Sequence, residues 1–297
     1  MTQYNPACMV LLYFAVLAAP AFSQQIFSVC GNSKVLLVET TDPTDTIPRV
    51  IWEWDAHEAT DIPVPYSEKY FERMDECKFT NAGKWLLVTS SAGGAGVLDI
   101  QTRKMLFYTQ VTNAHSIEQL PGGRIVVAGS TGRGGNCLAL YDMNDPERKV
   151  LYRDSIYSGH GVVWHPVRKR LFVLGYNTLK AYALSNWSTS TPSLRFVNSW
   201  ELPERGGHDL QLGTNEGELV VTTVSGVWRF IIDEEEYAPF WPLARHNHIK
   251  SVSFAADTDQ LLFVQAEETW WSHHVTIRSP HCKFSFPDLE VYKARWK

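Results

Sequence analysis

Ala114-His115-Ser116-Ile117-Glu118-Gln119-Leu120, Gly159-His160-Gly161-Val162-Val163-Trp164-His165 and Gly207-His208-Asp209-Leu210-Gln211-Leu212 are three versions of one phrase. Each is a small residue, a histidine, then apolar side chains at alternate positions. Alternation of period two is the mark of a strand whose faces differ in burial. Each phrase runs through a turn into a second apolar run. The turns are Pro121-Gly122-Gly123, Pro166-Val167-Arg168 and Thr214-Asn215-Glu216-Gly217. The second runs are Arg124-Ile125-Val126-Val127-Ala128, Arg170-Leu171-Phe172-Val173-Leu174 and Glu218-Leu219-Val220-Val221-Thr222.

Two weaker copies fit the same frame. Asp75-Glu76-Cys77-Lys78-Phe79 leads into Lys84-Trp85-Leu86-Leu87-Val88, and Ile249-Lys250-Ser251-Val252-Ser253-Phe254 leads into Gln260-Leu261-Leu262-Phe263-Val264. The anchors Glu76, His115, His160, His208 and Lys250 therefore recur at about forty-residue spacing, the period of a propeller blade built from short strands. A sixth unit shows only its second strand, Ile26-Phe27-Ser28-Val29-Cys30-Gly31-Asn32-Ser33-Lys34. The expectation is an all-β chain forming a single β-propeller of six blades over residues 24–297. Seven blades would need shorter units than these. Val50–Trp54, Met105–Tyr108, Val197–Trp200 and Glu290–Lys293 read as outer strands, and residues 56–74 as the longest irregular stretch. Where the first unit finds its inner strand is left open.

The 297 residues carry a formal net charge of −5, with 27 Lys+Arg against 32 Asp+Glu. That balance argues against a nucleic-acid partner, whose affinity rests on basic contacts to phosphate. Charged residues at 20% and hydrophobic residues at 44% are those of a folded chain rather than a disordered one. Residues 1–23 stand apart. Met9–Ala19 is an unbroken apolar run that ends at Pro20 and a small-x-small pattern, Ala21-Phe22-Ser23. It reads as a cleaved signal peptide, although no Lys or Arg precedes it. The expected location is secreted or periplasmic. The run is too short for a membrane span, and no later stretch is apolar enough for one. A monomer is expected.

Loss of that segment would remove Cys8 and leave Cys30, Cys77, Cys137 and Cys282, which allow three pairings. Buried free thiols and one disulfide are both open. No Cys-x-x-Cys spacing suggests a thiolate zinc site. Asn186-Trp187-Ser188 is a glycosylation sequon, meaningful in a eukaryotic host.

The repeat becomes a site through topology. The inner strand of every blade lines the central channel, so equivalent positions at its start form a ring at one mouth. Glu76, His115, His160, His208 and Lys250 are expected there. The competing reading is a structural histidine bonded within its own blade. Opposite charges at the same repeat position, Glu76 and Lys250, favour function. The loops between second and third strands face the same mouth. They supply Arg133 among glycines, a candidate carboxylate clamp, together with Tyr176, Asn177, Glu267 and Trp271. Trp270 and Trp271 offer a stacking surface for sugar. Tyr157 is a candidate proton donor.

His115, His160 and His208, with His248 in reach, could also hold a divalent metal through three imidazoles with open positions. The sequence lacks Gly-x-Ser-x-Gly and His-Glu-x-x-His, which argues against serine hydrolase and zincin chemistry. The glycine-rich loops are followed by no Gly-Lys-Ser/Thr and are not phosphate cradles.

Cys30-Gly31-Asn32-Ser33-Lys34, Trp52-Glu53-Trp54, Asn113-Ala114-His115-Ser116, Tyr157-Ser158-Gly159-His160-Gly161-Val162-Val163-Trp164, Gly206-Gly207-His208-Asp209-Leu210-Gln211 and Trp270-Trp271-Ser272-His273-His274 carry a family resemblance. The chain resembles a group of secreted propeller proteins of unknown function found near polysaccharide-degradation systems. More distantly, its architecture is similar to propeller lyases and glycosidases that act on uronic-acid polysaccharides through channel-mouth histidines. The group brings no established reaction; the combination of ring imidazoles with Lys250 and Arg133, the groups an elimination on a uronic acid needs, suggests an acidic oligo- or polysaccharide as partner and a lyase as the activity. His115, His160, His208, Lys250 and Tyr157 would then be the catalytic candidates. A non-catalytic glycan- or protein-binding propeller and a metal-dependent lactonase are the alternatives. Fold alone chooses none of them.

Overall fold

The computed structural model describes residues 25–40, 46–255, 260–279 and 281–297. The expected signal peptide, residues 1–23, lies outside them. Among the described residues, twenty-four strands form six four-stranded antiparallel sheets arranged as blades of a propeller. From the channel outward, blade two is Met74–Thr80, Trp85–Ser90, Gly94–Asp99 and Met105–Gln110. Blade three is Ala114–Leu120, Arg124–Gly129, Cys137–Asp142 and Tyr152–Ser155. Blades four and five begin at Gly161–His165 and Asp209–Leu212, and blade six at Ile249–Phe254. The six-blade expectation holds. Among the described residues no helix is long and apolar enough to cross a membrane.

Blade one shows how the ring closes. Its inner strand is Val291–Trp296, the end of the chain, paired with Gln25–Gly31 near the beginning. The reading of Glu290–Lys293 as an outer strand is therefore corrected. The outer strand of blade six is Cys282–Ser285, and the next segment crosses to the neighbouring blade. A local pattern of alternating side chains is the same for an inner and an outer strand. Only closure of the ring distinguishes them.

The core is six separate layers, one between each pair of blades. Phe107, Ile117, Val127 and Tyr141 pack between blades two and three. Phe172, Leu210, Val221 and Phe230 pack between four and five. Phe27, Val38, Leu262, Phe284 and Trp296 join blade six to blade one. Middle strands such as Arg124–Gly129, with five successive buried residues, lose both faces to neighbours, which explains their unbroken apolar runs.

The stretch read as irregular holds two short helical turns, Ala56–Glu58 and Tyr66–Tyr70. Tyr66 packs edge-on against Tyr108, and Phe71 is fully buried. The segment caps the layer between blades one and two.

Cys30, Cys77 and Cys137 are buried free thiols, and Cys282 is buried as well. Cys30 and Cys77 approach the same Lys293 carbonyl oxygen, each at 3.6 Å. Cys137 and Cys282 sit on blades three and six.

Candidate functional site

Strand register decides which side chains stand at the mouth. In blades two, three and six the inner strand bulges between Met74 and Glu76, Ala114 and Ser116, and Ile249 and Ser251. The residue skipped by each bulge is Asp75, His115 or Lys250. In blade one the partners step from Val291 to Lys293, skipping Tyr292. In blades four and five His160 and His208 sit one residue before the paired strand, their N–H groups donating to Leu174 and Thr222. The mouth ring is therefore Tyr292, Asp75, His115, His160, His208 and Lys250. A bulge re-aims a side chain that regular pairing would have turned elsewhere.

Glu76 is thus one tier below its expected place. It is fully buried, and Arg295 grips it through Nε to Oε1 at 2.8 Å and Nη2 to Oε2 at 3.1 Å. The same guanidinium holds Asp209 at 2.7 and 2.6 Å. Lys293 reaches both carboxylates, at 3.3 and 3.2 Å. Lys78 adds longer contacts to Glu76 and Glu118, each 3.8 Å, and donates to the Val162 carbonyl at 2.7 Å. Burial opposes ionisation of Glu76, yet Arg295, Lys293 and Lys78 hold its carboxyl down at about 2. Charges of both signs fill the channel under the mouth. Glu76 does not reach a ligand there.

Above this plug lie the imidazoles. His115 and His160 lie tilted against each other at 4.3 Å between ring centroids, and His160 meets His208 edge-on at 5.5 Å. Nδ1 of His115 faces the Asn113 carbonyl at 3.1 Å, and Nδ1 of His160 faces the Ser158 carbonyl at 2.9 Å. A carbonyl only accepts, so both rings carry the proton on Nδ1. When neutral, their Nε2 lone pairs remain available as acceptors. Burial pushes all three imidazoles below the ordinary histidine range, His160 to about 4. They are neutral at pH 7.

Lys250 completes the arc. Its Nζ lies 3.2 Å from His208 Nε2, 5.7 Å from the Trp270 ring centroid and 5.9 Å from that of Tyr292. Burial, with a smaller contribution from Lys293, lowers its pKa to about 8. Tyr292 also meets His115 edge-on at 5.9 Å, so it lies between Lys250 and His115 in reach of both. Burial lifts its phenol well above the ordinary range. Burial likewise raises Asp75 to about 7, against the opposing effect of its Ser91 hydrogen bonds. Oδ2 of Asp75 and Nδ1 of His208 are among several buried polar atoms of the described residues that lack a hydrogen-bond partner. These two belong to the ring.

The loop residues divide. Tyr157 and Tyr176 are exposed and pair edge-on at 5.7 Å. Asn177 and Arg133 are exposed on neighbouring loops. Glu267 is committed to its own blade, accepting hydrogen bonds from Ser272 at 2.7 Å, His274 at 2.6 Å and Lys283 at 2.7 Å. Trp271 packs edge-on against His273 at 4.8 Å, whereas Trp270 is 63% exposed and stands nearest Lys250. Trp270 takes the place expected of Trp271.

The metal set does not assemble. His248 is exposed on the loop before blade six, and the Lys250 amine occupies Nε2 of His208. Among the described residues no group of three or more His, Cys, Asp or Glu side chains is placed to hold a metal ion.

Sequence reasoning placed neither Asp75 nor Tyr292 in the ring. The signal for Asp75 was its acidic neighbour, one residue from the chosen anchor. Tyr292 could have been found by asking which unit lacked an inner strand.

Fold and mouth together define a six-bladed β-propeller whose channel entrance is lined by imidazoles and one amine. The chain belongs to a family of unknown function, DUF6528, whose model matches residues 24–297. It is also similar to a solved chain described as the crystal structure of a nidogen/laminin complex, with a TM-score of 0.60 and 12% identity. The match covers 92% of this chain and 98% of that one. At that identity the likeness shows the fold alone. No curated protein matches the chain.

Proposed function

We propose that this propeller is a carbohydrate-active protein of the secreted or periplasmic space, acting as a lyase on uronic-acid-containing oligo- or polysaccharides. The observation that carries the reading is the Lys250–His208 pair at 3.2 Å, set beside free imidazole Nε2 atoms and the exposed Trp270 ring. A β-elimination must balance the uronate carboxylate, remove the adjacent C5 proton and protonate the oxygen that leaves C4.

Lys250 faces the carboxylate and is held by His208. His160 takes the proton at Nε2, its Nδ1–H anchored on the Ser158 carbonyl as an orienting group. A bound carboxylate offsets the field of Lys250 and Lys293 that disfavours a charged His160. Tyr292, whose phenol stays protonated at neutral pH, supplies the proton to the leaving oxygen. The C5–H bond electrons become the C4=C5 double bond as C4–O breaks.

Incubation with uronate oligosaccharides should generate an ultraviolet-absorbing double bond. His160→Ala should lower the rate about 10²–10⁴-fold, the usual contribution of a positioned base. Lys250→Ala should raise KM as well as lower kcat. A folded protein that binds acidic glycans without turnover would instead establish the binding-only reading. The exposed Trp270, Tyr157 and Tyr176 rings favour that second reading. No binding and no turnover across acidic glycans would overturn both.

A further inference from the structure

One arc of the mouth is continuous. The Tyr176 N–H donates to the Tyr157 carbonyl, and the Gly206 and Gly207 N–H groups donate to that of Tyr176. Val224 donates to Arg205, His248 donates to Val224, and Ala266 donates to His248. The Glu267 and Glu268 N–H groups then donate to Trp271, closing the loop that carries Trp270. These bonds tie the loops of blades four, five and six into one hydrogen-bonded rim. A rim tied by backbone bonds is preorganised and loses little freedom when a ligand lies on it.

The side chains on this rim are unusual for a surface. Tyr157 is 59% exposed, Tyr176 40%, Val224 37% and Trp270 63%. Two aromatic rings stand at one end, over blade four, and one stands at the other, over blade six. Between them the mouth opens on His160, His208 and Lys250. Arg205 is exposed on the same rim, and Arg133 on the loop beside Tyr157. The Arg133 loop is joined to this end because Ile156 N–H donates to the Asn136 carbonyl and Ser158 N–H to the Asn136 side chain. Flat rings that alternate with cationic groups suit a ligand with both ring faces and repeated negative charge.

We infer that the rim over blades four to six is an extended subsite array for an acidic glycan chain of several sugar rings, running from Tyr157 and Tyr176 across the His208–Lys250 pair to Trp270. The inference deepens the proposed function and rests on it for the class of ligand. It adds that the ligand is an internal stretch of a polymer rather than a single sugar or a chain end. A monosaccharide would touch the imidazole and amine groups alone. A longer chain would stack on an aromatic ring at each side of them.

The test is calorimetric titration of the 24–297 chain with uronate mono-, di-, tetra- and hexasaccharides, before and after Trp270→Ala and Tyr176→Ala. The wild type is expected to bind the hexasaccharide at least tenfold more tightly than the monosaccharide. Each substitution should shrink that ratio several-fold, and the double variant should bring it near one. Unchanged melting temperatures would show that the exposed rings act on the ligand. A monosaccharide bound as tightly as the hexasaccharide overturns this inference and leaves the mouth site standing. So does a length dependence that survives both substitutions. Failure of every length to bind overturns the inference and the proposed function together.

Discussion

Lys250 and His208 come from adjacent blades and meet at 3.2 Å, an amine against an imidazole inside a mostly buried ring. Neither offers the other a compensating negative charge. The pair is held because each side chain is aimed inward by the start of its own inner strand. It is an arrangement that costs stability and is available to a ligand carrying a carboxylate.

Lys250→Met should therefore stabilise the protein at pH 7. The folded-state value of about 8 lies below the ordinary lysine value of about 10.4. Below pH 8 both folded and unfolded chains carry the charge and the folded state bears its full cost. Between those values the unfolded chain alone holds the proton, so wild-type stability rises with pH. The gain in the variant is at most on the order of 3 kcal/mol at pH 7 and fades toward pH 10. Melting curves at the two pH values check this. A variant less stable than wild type at pH 7 would show that packing of the lysine stem dominates.

Glu76→Gln should destabilise the fold by about 3–5 kcal/mol, because Arg295 and Lys293 would keep their charge in a buried channel with one carboxylate fewer. The wild type should lose stability as pH falls from the ordinary carboxylate range toward the depressed value of about 2. Above that range the contribution of Glu76 is fully present. Acid titration followed by circular dichroism should show a shallower decline in the variant.

His160 should remain neutral, with its proton on Nδ1, from pH 8 down to at least pH 5. Nitrogen-15 spectra of the ring report both the tautomer and the charge. The imidazole's folded value of about 4 lies below the unfolded value near 6.5. Its contribution to stability is present above 6.5 and is lost as pH falls toward 4. An imidazolium signal at pH 6 would contradict the buried geometry.

Gly161→Ala should cost about 1–3 kcal/mol through overpacking. The added Cβ would stand 2.5 Å from Leu210 Cβ and 3.1 Å from Leu174 Cβ, both buried in the layer between blades four and five. Denaturant unfolding measures the loss. Alanine at this position with wild-type stability would mean that the two inner strands can separate.

Protein recovered from the native host's secreted or periplasmic fraction should have the mass of a chain beginning at Gln24. Intact-mass spectrometry decides it, and a chain retaining Met1 would overturn the proposed location.

The sequence by itself determined the blade repeat and four of the six ring residues. His115, His160 and His208 each follow a small residue and precede an alternating run, and such periodic patterning is a local property that survives in one dimension. Lys250 was also legible, by its place in a weaker copy. Tertiary structure alone decided the rest. Asp75 rather than Glu76 reaches the mouth because a bulge shifts pairing by one residue, and a one-residue shift exchanges what faces the ligand for what lies below. Tyr292 joins the ring because the last strand pairs with the first. No local pattern distinguishes that strand from an outer one. Glu76, Asp209 and the Lys293/Arg295 strand lie far apart along the chain, and only closure of the circle brings their charges into one buried network.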